Sequence, residues 1–211
     1  MADSPAERRE WKALEISALV LMSLASLAGS WSSYQATRWS TVQTRSTAEV
    51  GGLRTQANRS EVKALAQQSL DFQMFVRWLE ADGRGDAKAM QIYEGQFRPE
   101  FRQTFQVWKA ARERRMPGRP DTPFDLRSYR LAQAVRVVEL DRKADQMAAR
   151  ARNATLMSEA YVQNGVIFAL VLFLTGMAQT FRRPRLRTIL TVAAALTFLF
   201  GLIQGVRLPA A

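Results

Sequence analysis

Three stretches of the chain are almost continuously apolar, and a long charged segment separates the first from the other two. The first runs from about Ala13 to Ser33, the second from about Tyr161 to Phe181 and the third from about Thr188 to Leu208. At 1.5 Å of rise per residue, about 20 residues of helix cover the roughly 30 Å of a bilayer's hydrocarbon core. Trp11 flanks one end of the first stretch, and Trp31, Tyr34 and Trp39 flank the other, as expected of aromatic belts at the two interfaces. Pro184 stands between the second and third stretches and prevents one continuous helix. The pattern predicts an all-α membrane protein. Its transmembrane helices are 13–37, 161–181 and 188–208, with a tail over 1–12, a loop over 182–187 and a C-terminus over 209–211.

The middle segment, 38–160, reads as a three-helix stalk or bundle. Its first helix continues from the first span, and Gly51-Gly52 is expected to interrupt or loosen it, since two glycines cost about 2 kcal/mol of helix propensity relative to alanine. Val62, Leu65, Ser69, Phe72, Val76 and Leu79 then step by three and four, which predicts a heptad seam. The turn around Gly83 and Gly85 ends that helix. The next carries Met90, Tyr93, Phe97, Phe101, Phe105 and Trp108 on one face, read as core, and Pro99 should kink or restart it. Thr122, Pro123 and Asp125 look like a helix start. The helix expected from there carries the seam Leu140, Ala144, Met147, Ala151, Ala154, Ser158 and Tyr161, without a breaker before the second span. The outer helices are thus expected to enter the membrane as continuous rods.

Charge settles the expected orientation. The formal net charge is +11, from 30 basic and 19 acidic residues. Residues 38–160 hold 22 Lys/Arg and 15 Asp/Glu, interspersed as on solvated helices, and no nucleic-acid stripe is indicated. Arg182, Arg183, Arg185 and Arg187 crowd one short loop, and basic residues of short loops mark the cytoplasmic side. Arg8, Arg9 and Lys12 place the N-terminus on the same side, which agrees with the two spans between. The middle segment and the C-terminus then lie outside a bacterial plasma membrane. A cleaved signal peptide is the rival reading of Ile16–Ala28. Glu7, Glu10 and Glu15 in its N-region argue against it.

Small residues recur within the spans. Ala25, Gly29 and Ser33 in the first, and Ala193, Thr197, Gly201 and Gly205 in the third, stand at four-residue steps and predict helix contacts. Ser30, Gln163, Asn164 and Gln204 fall at similar depth near the outer ends. They read as interhelical hydrogen-bonding groups, or alternatively as a ring lining a pore.

The chain has no His and no Cys. That removes the usual triads, imidazole and thiolate metal sites, and disulfides. No phosphate-binding glycine motif occurs. No catalytic, cofactor-binding or metal-ligating residue is assigned, and no cofactor is expected.

WSSYQATRWS (31–40), FRPEFR (97–102) with Trp108, Pro123-Phe124, Tyr129-Arg-Leu-Ala and the two C-terminal spans together resemble a group of uncharacterised bacterial three-span integral membrane proteins. The resemblance implies a bacterial plasma membrane location and no particular activity. The expected function is non-enzymatic: a scaffold or accessory subunit that assembles with itself or with a membrane-protein partner in the lipid bilayer. An oligomeric channel is the alternative. An extracytoplasmic sensor that signals through a partner, since no output module follows from this sequence, is the weaker one.

Overall fold

A computed structural model describes residues 5–115, 118, 120–181 and 183–210. The chain is helical, and no strand occurs among the described residues. In order come α1 (Pro5–Arg84), α2 (Ala87–Gln96), α3 (Pro99–Glu113), a single 3-10 turn (Pro123–Asp125), α4 (Ala132–Thr180) and α5 (Pro184–Arg207). Three helical stretches are long and apolar enough to cross a membrane, one each in α1, α4 and α5. The chain divides into two compact units. One comprises Met1–Ala48 with Met147–Ala211, and the other Glu49–Gln146.

Gly51 and Gly52 do not interrupt α1. Carrying a helix through both glycines costs about 2 kcal/mol. Stopping and nucleating a new helix costs about 4 kcal/mol, from a nucleation constant near 10⁻³. Continuation is the cheaper course. Pro184 does separate the last two helices, sitting at the first position of α5, where a missing N–H is no loss.

In the first unit the buried positions recur every seven residues on all three helices. They are Ala18, Ala25 and Ser32 on α1, and Ala154, Tyr161, Phe168 and Thr175 on α4. Asn164, Val171 and Ala178 interleave on α4, and Arg187, Ala194 and Gly201 complete the pattern on α5. A seven-residue step falls only about 20° short of two turns, so such a stripe stays on one side of a helix. The four-residue steps read from the sequence overshoot one turn by about 40° each and wander off that side. Ala25 is accordingly buried, Gly29 partly buried and Ser33 exposed. Ala193 and Thr197 are partly buried, while their neighbour Ala194 is fully buried.

Ala25, Val171 and Ala194 meet in a small three-helix core, covered by Leu21, Leu172, Leu174 and Phe198. Glycines set the spacing. A Cβ on Gly201 would lie 3.0 Å from Ile167 Cγ2 and 3.1 Å from Phe168 Cε1, and one on Gly205 would lie 2.8 Å from Asn164 Nδ2. The outward faces are apolar: Leu19, Leu27, Val166, Phe173, Leu196 and Phe200 are all exposed. Only 17–28% of the most apolar stretch of each span is buried, the reverse of a water-soluble bundle, which turns such residues inward.

The second unit is organised by an aromatic core. Phe97, Phe101, Phe105 and Trp108 pack on Phe75 and Trp78 of α1, with Met90, Tyr93, Phe124, Leu126 and Tyr129 around them. Edge-on contacts dominate, such as Trp78 with Phe105 at 4.9 Å and Phe75 with Trp108 at 5.2 Å between ring centroids. This is the geometry that aligns positive ring edges with negative faces. Pro99 restarts the helix as expected and splits the middle helix into α2 and α3. Gly85, at φ +66°, makes the turn between α1 and α2.

Two expectations need correction in this unit. The helix does not begin at Thr122. The Asp125 carboxylate does accept hydrogen bonds from the Thr122 N–H (3.1 Å) and hydroxyl (2.7 Å), but the turn they close lasts three residues and the chain is extended again at Leu126. Burial of Phe124, Leu126 and Tyr129 against the aromatic core overrides the local start signal, and α4 begins at Ala132. The α1 seam is also out of phase. The buried face is Ala57, Ser60, Ala64, Asp71, Phe75 and Trp78. Val62, Leu65, Phe72 and Leu79 are exposed instead, at 66%, 58%, 55% and 37%. The seam on α4 is buried as read, with Leu140, Ala144, Ala151, Ala154 and Tyr161 all inside.

Candidate functional site

Among the spans, the polar centre is Asn164. It is almost wholly buried, and its Nδ2 donates to Ser32 Oγ at 3.3 Å. Close approach at Gly205 and Gly165 gives the amide room between helices. Ser32 in turn donates to the Ala28 carbonyl at 2.9 Å. The Asn164 Oδ1 and Gln204 Oε1 atoms are buried and accept no hydrogen bond. Ser30 and Gln163, read from the sequence as members of the same cluster, are exposed, and Gln204 is partly buried. Ser32 and the buried Gln35 were not singled out from sequence. Their signal was position seven and ten residues beyond Ala25, on its own face.

Further hydrogen bonds fasten the chain beyond α5. The Trp39 indole donates to the Pro209 carbonyl at 3.1 Å, and the Tyr161 hydroxyl reaches the carbonyls of Leu208 and Pro209 at 3.3 Å each. Ser158 donates to the Ala36 carbonyl at 3.0 Å. Of the loop arginines, Arg183 and Arg185 are exposed and Arg187 is buried, while Arg182 lies outside the described residues.

In the second unit the polar centre is Asp71, on the buried face of α1. Its carboxylate accepts from Arg98 at 2.7 and 3.4 Å and from the Tyr129 hydroxyl at 3.1 Å. Arg98 also holds Glu100 at 3.0 Å. The hydrogen bond to Asp71 raises the Arg98 pKa above its ordinary value. Burial, reinforced by the Asp71 charge, pushes the Tyr129 phenol well above its own. The carboxylate they share thus accepts three hydrogen bonds from two side chains. Such a hub positions α3 and the 126–131 segment on α1.

A second polar set seals the far side of the aromatic core. Glu94 accepts from the Trp78 indole at 2.9 Å and pairs with Lys109 at 2.6 Å. Arg112 pairs with Asp82 at 2.6 Å and lies over Trp78 and Trp108. No group of three His, Cys, Asp or Glu side chains converges to hold a metal ion among the described residues.

On the otherwise charged surface of the second unit, one face is apolar. The exposed α1 stripe borders a groove of about 270 Å³ lined by Leu65, Ser69, Phe72 and Phe124. Through Gln68 this groove adjoins a second, of about 390 Å³, walled by Leu131, Val135 and Val138 of α4 and its approach. Another hollow, of about 430 Å³, lies beside the Asp71–Arg98 pair, with Met74 and Phe97 in its walls.

These features define an all-helical protein with three helices able to span a membrane and a helical unit built on an aromatic core. No protein family, no curated protein and no solved structure matches the chain.

Proposed function

We propose that this chain is a non-enzymatic integral membrane protein that assembles through its helices, as a scaffold or accessory subunit. The observation that carries the reading is the exposed stripe Val62, Leu65, Phe72 and Leu79, a heptad-spaced apolar face on a helix whose other side already holds a complete core. Contiguous exposed apolar surface outside the spans marks a protein contact. The apolar outer faces of the spans support residence in a bilayer, and the charge of the loop at 182–187 supports the orientation. The N-terminus and that loop are then cytoplasmic, with 38–160 and the C-terminus outside a bacterial plasma membrane. The alternative of a pore draws less from the geometry, because Asn164 is buried within one chain and donates to Ser32 of that same chain.

Mass measurement of the chain in nanodiscs tests the reading. Species larger than one chain are expected, and Leu65→Gln with Phe72→Gln should shift them toward the monomer. A monomer at every concentration, unchanged by these substitutions, would count against it.

A further inference from the structure

We propose that the exposed stripe of α1 is a parallel, in-register contact with a second copy of this chain, an inference that rests on the membrane-assembly reading above. In heptad terms Val62, Ser69 and Val76 occupy a positions, and Leu65, Phe72 and Leu79 occupy d positions. Two of the three a positions are β-branched and two of the three d positions are leucine, the combination that favours two parallel strands over higher orders.

The flanks permit a twin. In a parallel pair each g position meets the e position five residues on in the other helix. Glu61 then meets the second copy's Ala66, and Gln68 meets its Gln73, a pair of amides able to hydrogen-bond. Phe75, at the next g position, is turned into its own core, so Glu80 of the second copy faces no like charge. No repulsive pair arises from either flank between Glu61 and Glu80. Register is preset as well. Two identical chains inserted in the same sense carry Ser69 at the same depth, so a positions meet a positions without a search. A partner of different sequence gains nothing from that coincidence.

The absence of cysteine makes the test direct. Ser69→Cys and Val76→Cys are exposed or partly exposed a positions, and Lys63→Cys is an exposed b position facing away from the contact. Oxidation in intact membranes should give disulfide-linked dimers of the two a-position variants about tenfold more efficiently than of Lys63→Cys. Mass measurement in nanodiscs runs alongside. Dimers by mass, with cross-linking at Ser69→Cys no better than at Lys63→Cys, would overturn this inference and leave assembly to the spans or another surface. Monomers by mass, with no cross-link at any site, would overturn this inference and the assembly reading together.

Discussion

Asp71→Ala loosens the second unit by about 3–5 kcal/mol, the cost of leaving a buried charge without its partner. Asp71 is nearly inaccessible, with 6% of its side chain exposed, and Arg98 keeps 24%. Removing the carboxylate leaves the Arg98 guanidinium only its exposed partner Glu100 and frees the Tyr129 hydroxyl from its acceptor. The effect is read as hydrogen exchange of the α3 amides, which should accelerate about a hundredfold to several thousandfold at 1.4 kcal/mol per tenfold. The neutral replacement Asp71→Leu with Arg98→Met and Tyr129→Phe should restore most of the protection, because well-packed apolar groups often equal a buried ion pair. If the single and triple variants exchange alike, Asp71 is not the pin.

Gly201→Leu separates α5 from α4. Even a Cβ there would press on Ile167 and Phe168 at 3.0–3.3 Å, and a leucine side chain reaches further still. Overpacking costs about 1–3 kcal/mol. In a bilayer no hydrophobic force offsets that loss, because helices associate there by close packing. Gly176 supplies the control, since a Cβ there meets nothing within 4 Å. A Val171→Cys/Ala194→Cys pair sits in the three-helix core and should cross-link with a short bismaleimide. The cross-link is expected to fall in the Gly201→Leu background and to persist with Gly176→Leu. Equal cross-linking in both would show that the glycine does not set the helix spacing.

The elements were legible where one strong local signal decided them. Long apolar runs marked the spans, Pro184 and Pro99 marked restarts, and the alternating 4,3 seam of α4 marked its buried face. Phase was harder. On α1 the three-and-four step from Val62 to Leu79 marks an exposed face, whereas the helix buries a second stripe that mixes small Ala57, Ser60 and Ala64 with Asp71, Phe75 and Trp78. In the spans a four-residue rule picked Gly201 and Gly205 but drifted to Ser33 and Ala193, because the packed stripes repeat every seven. Asp71 was not legible at all. It stands between Leu70 and Phe72 like any surface charge, and its partners lie 27 and 58 residues away. The start signal at Thr122 was genuine chemistry serving a shorter turn.

The orientation proposed from the loop charges places residues 38–160 together outside the membrane and the 182–187 loop inside. Single cysteines introduced at Lys88, Leu186 and Ala210 report it, all three being exposed in the fold and none removing a loop arginine. With a membrane-impermeant maleimide on intact bacterial cells, Lys88→Cys and Ala210→Cys should label at once and Leu186→Cys only after permeabilisation. Labelling of Leu186→Cys in intact cells, with Lys88→Cys protected, would contradict the account.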